Sequence, residues 1–420
     1  MRILLGCDTF APDLNGSASF AKRLGAGMVQ RGHEVHVLAP ASREGGAGVF
    51  AEVHEGQTLT VHRIPSYSWP THPWFRFMMP FTIGHHARKA IRGVRPDVVH
   101  VQSHIVAGRG LFPVAKKAGI RLAGTNHSMP ENIVQHAPPH TPQWFVDFVV
   151  NAQWRSAKKL FGMADVNTSP TQSSADYFEE KTGLTGVIAV SNGIETSDYT
   201  PSFAPRTGNR IVFVGRLDDE KHIDELVDAT ARLDPALDVQ VDIIGAGEAR
   251  EKLQAQAREL GVEDRIHFLG KVSDEQLRAT LTAATVFAMP SRAELQCIAA
   301  MEAEASALPV VAANAMALPH LVRDGVNGHL YEPGDIDGFV AALTDVLTAD
   351  PARLDAMKRA SLAIVAEHSM AHTLDVFEAI YRDQPIPAAP APPAAAPAAP
   401  AVPPAAAPAP VTPDADRPGR

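Results

Sequence analysis

The chain has 420 residues, 45% hydrophobic and 20% charged, with a formal net charge of -9. At roughly 150 residues per domain, that length holds two folded domains and a remainder. Two cysteines, Cys7 and Cys297, exclude a disulfide scaffold and a multi-cysteine zinc centre, and the missing basic excess argues against nucleic acid as the partner.

The charge is unevenly divided. Residues 1–190 hold 19 Lys and Arg against 13 Asp and Glu, leaving 19 against 34 for residues 191–420. The first half also holds 12 of the 18 histidines and all four tryptophans. That bias suits a small anionic ligand or a membrane surface, although drift in surface composition gives the same split. No apolar run approaches the roughly 20 residues of a membrane span. Met1-Arg-Ile-Leu-Leu-Gly6 opens a strand and not a secretory leader, so the expected location is the cytoplasm.

Taken in order, short apolar runs predict strands at Ile3–Gly6, Val35–Ala39, Val98–Val101 and Arg121–Gly124. A second series follows at Ile211–Val214, Val239–Ile244, Ile266–Leu269, Val286–Met289 and Pro309–Ala312. Helical patterns separate them, the first from about Phe20 to Arg31, and the last running from beyond Ala349-Asp-Pro to Arg382. The alternation predicts an α/β chain of two doubly wound domains, 1–190 and 191–365. A hinge is expected at Ser191-Asn-Gly-Ile, with few contacts crossing the polar stretch from Thr196 to Asn209. A helix at 366–384 precedes a Pro/Ala-rich tail at 385–420, which holds 13 of the 34 prolines and is expected to stay disordered.

Three segments carry chemistry. Gly16 closes the turn after the first strand, where free helix amides can face an anion; a βα turn needs a glycine for its own sake too. The strand at Ile211–Val214 ends in Gly215-Arg216-Leu-Asp-Asp-Glu-Lys221. Its guanidinium and ammonium emerge at a carboxyl end, where open sheets bind ligands, and together they suit a diphosphate. The alternative is a pair of surface cations balancing Asp218, Asp219 and Glu220. Pro290-Ser-Arg-Ala-Glu294 opens a helix that carries Glu302, which aims a carboxylate and several amides at one cleft.

In order, Gly-Arg216-x4-Lys221, Pro-Ser-x2-Glu294-x7-Glu302-Ala, Leu308-Pro-Val-Val-Ala, Asp324-Gly-Val-Asn-Gly328 and Glu332-Pro-Gly-Asp resemble the retaining glycosyltransferases of family four. These have the GT-B fold, two Rossmann-like domains facing a central cleft. The resemblance spans roughly residues 1–382, including Asn15-Gly16 and Gly32-His-Glu. It implies that Arg216 and Lys221 clasp the donor diphosphate, that Glu302 holds the donor ribose, and that Glu294 meets the donor sugar hydroxyls. The amides of Gln296, Cys297 and Ile298 then lie beside the sugar and phosphates, with Gly16 closing over them and Gly215 below. His127 matches the histidine near the transferring sugar; a satisfied strand-end histidine is its other reading. Gly247, Lys271 and Val272 fall where family members hold the base.

The implied reaction moves a hexose from a nucleotide-diphosphate sugar of the UDP-glucose or GDP-mannose type, with neither cofactor nor metal. The expected acceptor is a membrane lipid such as a diacylglycerol or an inositol lipid, at an anionic membrane surface. That expectation rests on two aromatic and cationic clusters, Trp69 to Phe81 with His85 to Arg95, and Trp144 to Lys159, the second at spacings that could share an exposed helix side; a place in the first domain's core or cleft wall is the other reading of these aromatics. A soluble small-molecule or oligosaccharide acceptor, a non-catalytic nucleotide-sugar binder, and an epimerase or phosphorylase on the same fold are the alternatives. Three positions depart from the family pattern. Ala307 stands where glycine is usual, Glu304 where methionine is usual, and Cys297 where a small or hydroxyl residue is commoner.

Overall fold

A computed structural model describes residues 1–13, 15–42, 45–68, 76–131, 141–205 and 208–388. Continuous apolar runs such as Val286–Met289 and Val310–Ala313 are buried along their whole length, as strands covered by helices on both faces must be. They assemble into two sheets.

The first sheet comprises β1 (Arg2–Gly6), β2 (Glu34–Pro40), β3 (Gly48–His54) and β4 (Gln57–Ile64). After a small hairpin of β5 (Ser66–Ser68) and β6 (Arg76–Met78), it continues with β7 (Val98–Val101), β8 (Arg121–Thr125), β9 (Val166–Ser169) and β10 (Ile188–Ala189). Its order is β10-β9-β8-β7-β1-β2-β4-β3, parallel except for the β3 edge. The second sheet takes β11 (Asn209–Val214), β12 (Val239–Ile244), β13 (Ile266–Gly270), β14 (Val286–Met289), β15 (Val310–Ala313) and β16 (Gly328–Tyr331). Its order is β13-β12-β11-β14-β15-β16, parallel throughout. The order reverses between β1 and β7 and between β11 and β14, the two places where doubly wound sheets open a ligand crevice.

All nine expected strands are present with ends within two residues. The first helix differs, because it starts at Gly16 and not near Phe20. Asn15 caps it, its side-chain oxygen accepting from the Ala18 amide at 2.9 Å, and this turns Gly16-Ser-Ala-Ser from loop into the first helical turn. The expected slack after the hinge is also absent. Tyr199 is buried, the Ser202 carbonyl accepts from Lys358 at 2.8 Å, and the Thr200 carbonyl accepts from Thr282.

The chain crosses between the sheets twice, and the crossings are hydrogen-bonded to each other. The Ile194 amide donates to the His368 carbonyl at 2.9 Å, and the Met370 amide donates to the Ile194 carbonyl at 3.0 Å. Helix Met370–Arg382 then packs on the first sheet, where Leu374, Phe377 and Ile380 share a core with Ile3, Phe20 and Val98. Gly27 makes that approach feasible, since a Cβ there would lie 2.5 Å from Leu374. Arg31 pairs with Asp375 and Glu378, and Arg121 with Asp383, along the same seam. The tail falls, from residue 389 on, outside the described residues.

Candidate active site

The polar centre sits at the carboxyl end of β11. Past Val214 the chain runs through Gly215 and Arg216 into a short 3-10 turn, Asp219–Lys221, which carries the lysine back toward β14. There Lys221 Nζ donates to Glu294 Oε1 at 2.6 Å, and Glu220 lies 3.8 Å away. Burial works against charge on Lys221, but the Glu294 and Glu220 carboxylates outweigh it and hold the ammonium above its usual range. Burial likewise works against charge on Glu294. Lys221, the Ser291 hydroxyl and Arg216 overcome it and hold that carboxyl below its usual range. Both groups are therefore charged at neutral pH.

Arg216 is also engaged, one guanidinium nitrogen donating to Asp218 and the other to Glu220. Asp219 pairs with Lys252 at 3.0 Å instead. Gly215 and Gly247 lie where two loops stack without room for side chains. A Cβ on Gly247 would lie 2.3 Å from the Leu217 carbonyl, and one on Gly245 would lie 1.8 Å from the Gly215 carbonyl.

Glu294 stands in the loop before helix Ile298–Ala305, and Glu302 in the helix. Cys297 caps the helix start with φ +67°, buried. The Gln296 side chain is used at the hinge, accepting from the Asn192 amide at 2.8 Å and donating to Ser191 Oγ at 2.6 Å, so only its backbone faces outward chemistry. Ala307 adopts φ +62°, the left-handed geometry that its position demands. Glu304 is wholly buried, with Asn327 Nδ2 at 3.1 Å as its partner, and burial raises its carboxyl well above the usual range.

The first sheet supplies the facing wall. A Cβ on Gly16 would stand 3.6 Å from Ile298 Cδ1, so the starts of helices Gly16–Gln30 and Ile298–Ala305 abut. His127 follows β8, its ring 5.0 Å from that of Phe20. Burial lowers it to about 3, so it is a neutral imidazole, and among the described residues its Nε2 has no partner. Lys271 stands apart, exposed after β13 and facing Asp13, with Val272 packed on the second core.

Several residues here lie outside the motifs read from the sequence. Arg23 Nη2 reaches Glu302 Oε1 at 3.3 Å, and Tyr199 hydrogen-bonds the same carboxylate. Thr171 donates to the Leu295 carbonyl at 3.0 Å, another link between the sheets. Gln102 and His104, past the end of β7, are fully buried with no partner for their side-chain polar atoms among the described residues. Helical phase from Gly16 would have found Arg23, since a residue seven positions on returns to the same face.

Two facing Rossmann-like sheets, with Arg216, Lys221 and the start of helix Ile298–Ala305 gathered at a carboxyl end, have the architecture of a GT-B nucleotide-sugar glycosyltransferase. The chain belongs to glycosyltransferase family four and is a hexosyltransferase: the model of Glycosyltransferase Family 4 matches residues 14–198, and that of Glycosyl transferases group 1 matches residues 198–362. It is 28% identical over 359 residues to a GDP-mannose-dependent alpha-mannosyltransferase of Mycolicibacterium smegmatis, covering 83% of this chain and 88% of that protein. It is 38% identical over 207 residues to a D-inositol 3-phosphate glycosyltransferase of the same organism, covering 46% and 47%. Among solved structures, sucrose-phosphate synthase from Thermosynechococcus elongatus superposes with TM-score 0.75 at 18% identity over 91% of this chain and 98% of that one. Anabaena Alr3699/HepE in complex with UDP-glucose does so with TM-score 0.67 at 20% identity, covering 91% and 99%.

Proposed function

We propose that this enzyme moves mannose from GDP-mannose, with retention at the anomeric carbon, to a hydroxyl of a membrane lipid such as a diacylglycerol or an inositol lipid. The convergence of Lys221, Glu294 and Arg216 on the start of helix Ile298–Ala305, opposite Gly16, carries the transfer reading. GDP-mannose is favoured over UDP-glucose because the mannosyltransferase likeness runs through most of both chains.

In this reading residues 191–365 hold the donor and residues 1–190 the acceptor. Arg216 and Lys221 exchange their carboxylate partners for the diphosphate and stabilise charge that grows on it, together with the amides of Cys297 and Ile298. Glu302 takes the ribose hydroxyls, and Gly247, Lys271 and Val272 flank the base. The acceptor oxygen bonds to the anomeric carbon on the face that the diphosphate leaves, and the acceptor proton passes to the departing phosphate oxygen. His127, neutral and unpartnered at Nε2, offers a hydrogen bond to a hydroxyl of the transferring sugar. Holding both reactants in line supplies the rest of the acceleration.

The lipid acceptor rests on helix Gln143–Phe161. Trp144, Phe148, Asn151, Arg155 and Lys158 recur at helical spacing on one side. Trp144 and Phe148 are 70% and 58% exposed, and a cavity of about 490 Å³ gathers Phe148, Arg155, Lys158 and Lys181. Rings at one end and cations at the other fit the depth profile of an anionic bilayer. Trp154 does not share that side. It is buried and donates to Glu131 at 2.9 Å, because its phase points it into the core. Of the other cluster, residues 69–75 lie outside the described residues, while Phe81 is exposed. No helix among the described residues is long and apolar enough to cross a membrane.

A soluble acceptor of the inositol phosphate kind is the second reading, favoured by the likeness to the D-inositol 3-phosphate enzyme. Incubation with GDP-mannose or UDP-glucose, each with diacylglycerol vesicles, inositol lipid vesicles or inositol phosphate, followed by product mass and anomeric coupling constants, separates these readings. Mannolipid with the α configuration supports the proposal. Product only on inositol phosphate, or only from UDP-glucose, overturns its acceptor or its donor.

A further inference from the structure

Three segments distant in sequence meet at the Glu302 carboxylate. Glu302 comes from the second sheet's helix, Tyr199 from the crossing segment, and Arg23 from the helix that begins at Gly16. The Arg23 side chain is 20% exposed and that of Glu302 12% exposed, so the 3.3 Å contact is made largely out of water. A second guanidinium nitrogen, Nη1, is buried without a partner among the described residues. A guanidinium held in that way beside one carboxylate is arranged to act on it, because burying it costs more than a single long contact returns.

We propose that Arg23 is a positioning residue for the donor, keeping Glu302 charged and aimed so that it can accept from the ribose hydroxyls. The inference rests on the reading of Glu302 as the ribose carboxylate. An ionised carboxylate accepts two hydroxyl donors at once, whereas a protonated one turns an acceptor into a donor and loses that capacity. Burial raises the Glu302 carboxyl, and Arg23 and the Tyr199 hydroxyl oppose the rise. The other groups facing this cluster are Asp274 near Glu302, Glu55 near Arg23 and Asp198 near Tyr199, all acidic. Among the described residues Arg23 is the cation paired with Glu302. It also arrives from the opposite wall, so the ribose carboxylate is set only when the two walls are together.

The test is steady-state kinetics of Arg23→Met and Arg23→Lys against donor concentration from pH 6 to pH 9. For Arg23→Met the donor KM rises roughly ten-fold or more near pH 7, as loss of a hydrogen bond to a charged group predicts, and the loss falls more on KM than on kcat. The rise is steeper at lower pH, where the released carboxyl takes up a proton, and shrinks toward pH 9. Arg23→Lys recovers most of the affinity. An unchanged or lowered donor KM in Arg23→Met, or the same KM shift at every pH, overturns the proposal. Should Arg23→Met fail to fold, Arg23→Gln carried through the same pH series decides between these outcomes. Glu302→Gln separates the two layers. If it leaves donor KM unchanged, the ribose reading itself falls; if it raises KM while Arg23→Met does not, only the role of Arg23 falls.

Discussion

Gly16 and Ile298 begin helices packed on different sheets, yet a Cβ on Gly16 would rest 3.6 Å from Ile298 Cδ1, at ordinary contact distance. One carbon fits there in ordinary contact, whereas a longer side chain would extend into the space between the two helix starts. Gly16→Ala should therefore keep most of its activity, whereas Gly16→Leu should lose at least about ten-fold in kcat/KM, equivalent to about 1.4 kcal/mol. Adding Ile298→Ala to Gly16→Leu should return part of the loss. Equal activity in the alanine and leucine variants would show that the two helix starts do not enclose the donor.

The Lys221–Glu294 pair predicts both a rate and a stability effect. Arg216→Ala and Lys221→Met should each lower turnover on the order of 100-fold or more, since in the proposed reaction each removes a cation from the developing diphosphate charge. Lys221→Met should also melt earlier, because it strands Glu294 in a largely buried position. Lys221→Met combined with Glu294→Gln should regain much of the melting temperature and none of the turnover. Calorimetry and initial rates on the same preparations distinguish the two effects.

The same pair sets a pH window. Glu294 titrates below its ordinary value of 4.5 when folded, so its contribution is present above that pH and is lost as pH falls through the folded value. Lys221 titrates above its ordinary 10.5, so its contribution is present below that pH and is lost as pH rises through the folded value. Glu304 behaves oppositely to Glu294. Its carboxyl is raised, so it favours the fold at acid pH and costs stability as pH climbs past 4.5, where the unfolded chain ionises. Glu304→Gln, which keeps an oxygen for Asn327, should raise the melting temperature at pH 8 more than at pH 4. A uniform shift across that range would mean that Glu304 is not held protonated.

Membrane contact is tested on the exposed face of helix Gln143–Phe161. Trp144→Ser with Phe148→Ser should leave melting unchanged, since both rings are largely in solvent, and should abolish sedimentation with anionic vesicles. Arg155→Glu with Lys158→Glu should weaken binding at low salt. The wild-type interaction should fade as salt rises, because the Debye length is about 10 Å at 0.1 M. Full binding by the serine variant would place the contact elsewhere.

Much of this architecture could be read from residue order. Strands such as Val286–Met289 and Val310–Ala313 are continuous apolar runs because both faces are covered, and their burial follows directly from that composition. The edge strand Gly48–His54 escaped notice because it is mostly exposed and interrupts its apolar residues with Glu and Gly. Ala307 was legible in its geometry: its left-handed φ is what the neighbouring motif requires. Lys221 and Glu294 were each visible as charged motif positions, but their pairing is a product of the β11–β14 adjacency. Glu302 was visible as a motif position and Arg23 lies in helical phase with Gly16, but their contact across 279 residues was beyond any local pattern.

The paired crossings at Ile194 and at His368 to Met370 bear on how the molecule is made. The first sheet is translated first, but the apolar bed formed by Phe20, Gly27 and Val98 stays uncovered until residues 370–382 have left the ribosome. The half of the protein that begins synthesis is thus the half that finishes last. A nascent chain stalled after the second sheet would present that bed to chaperones while the second sheet was already complete.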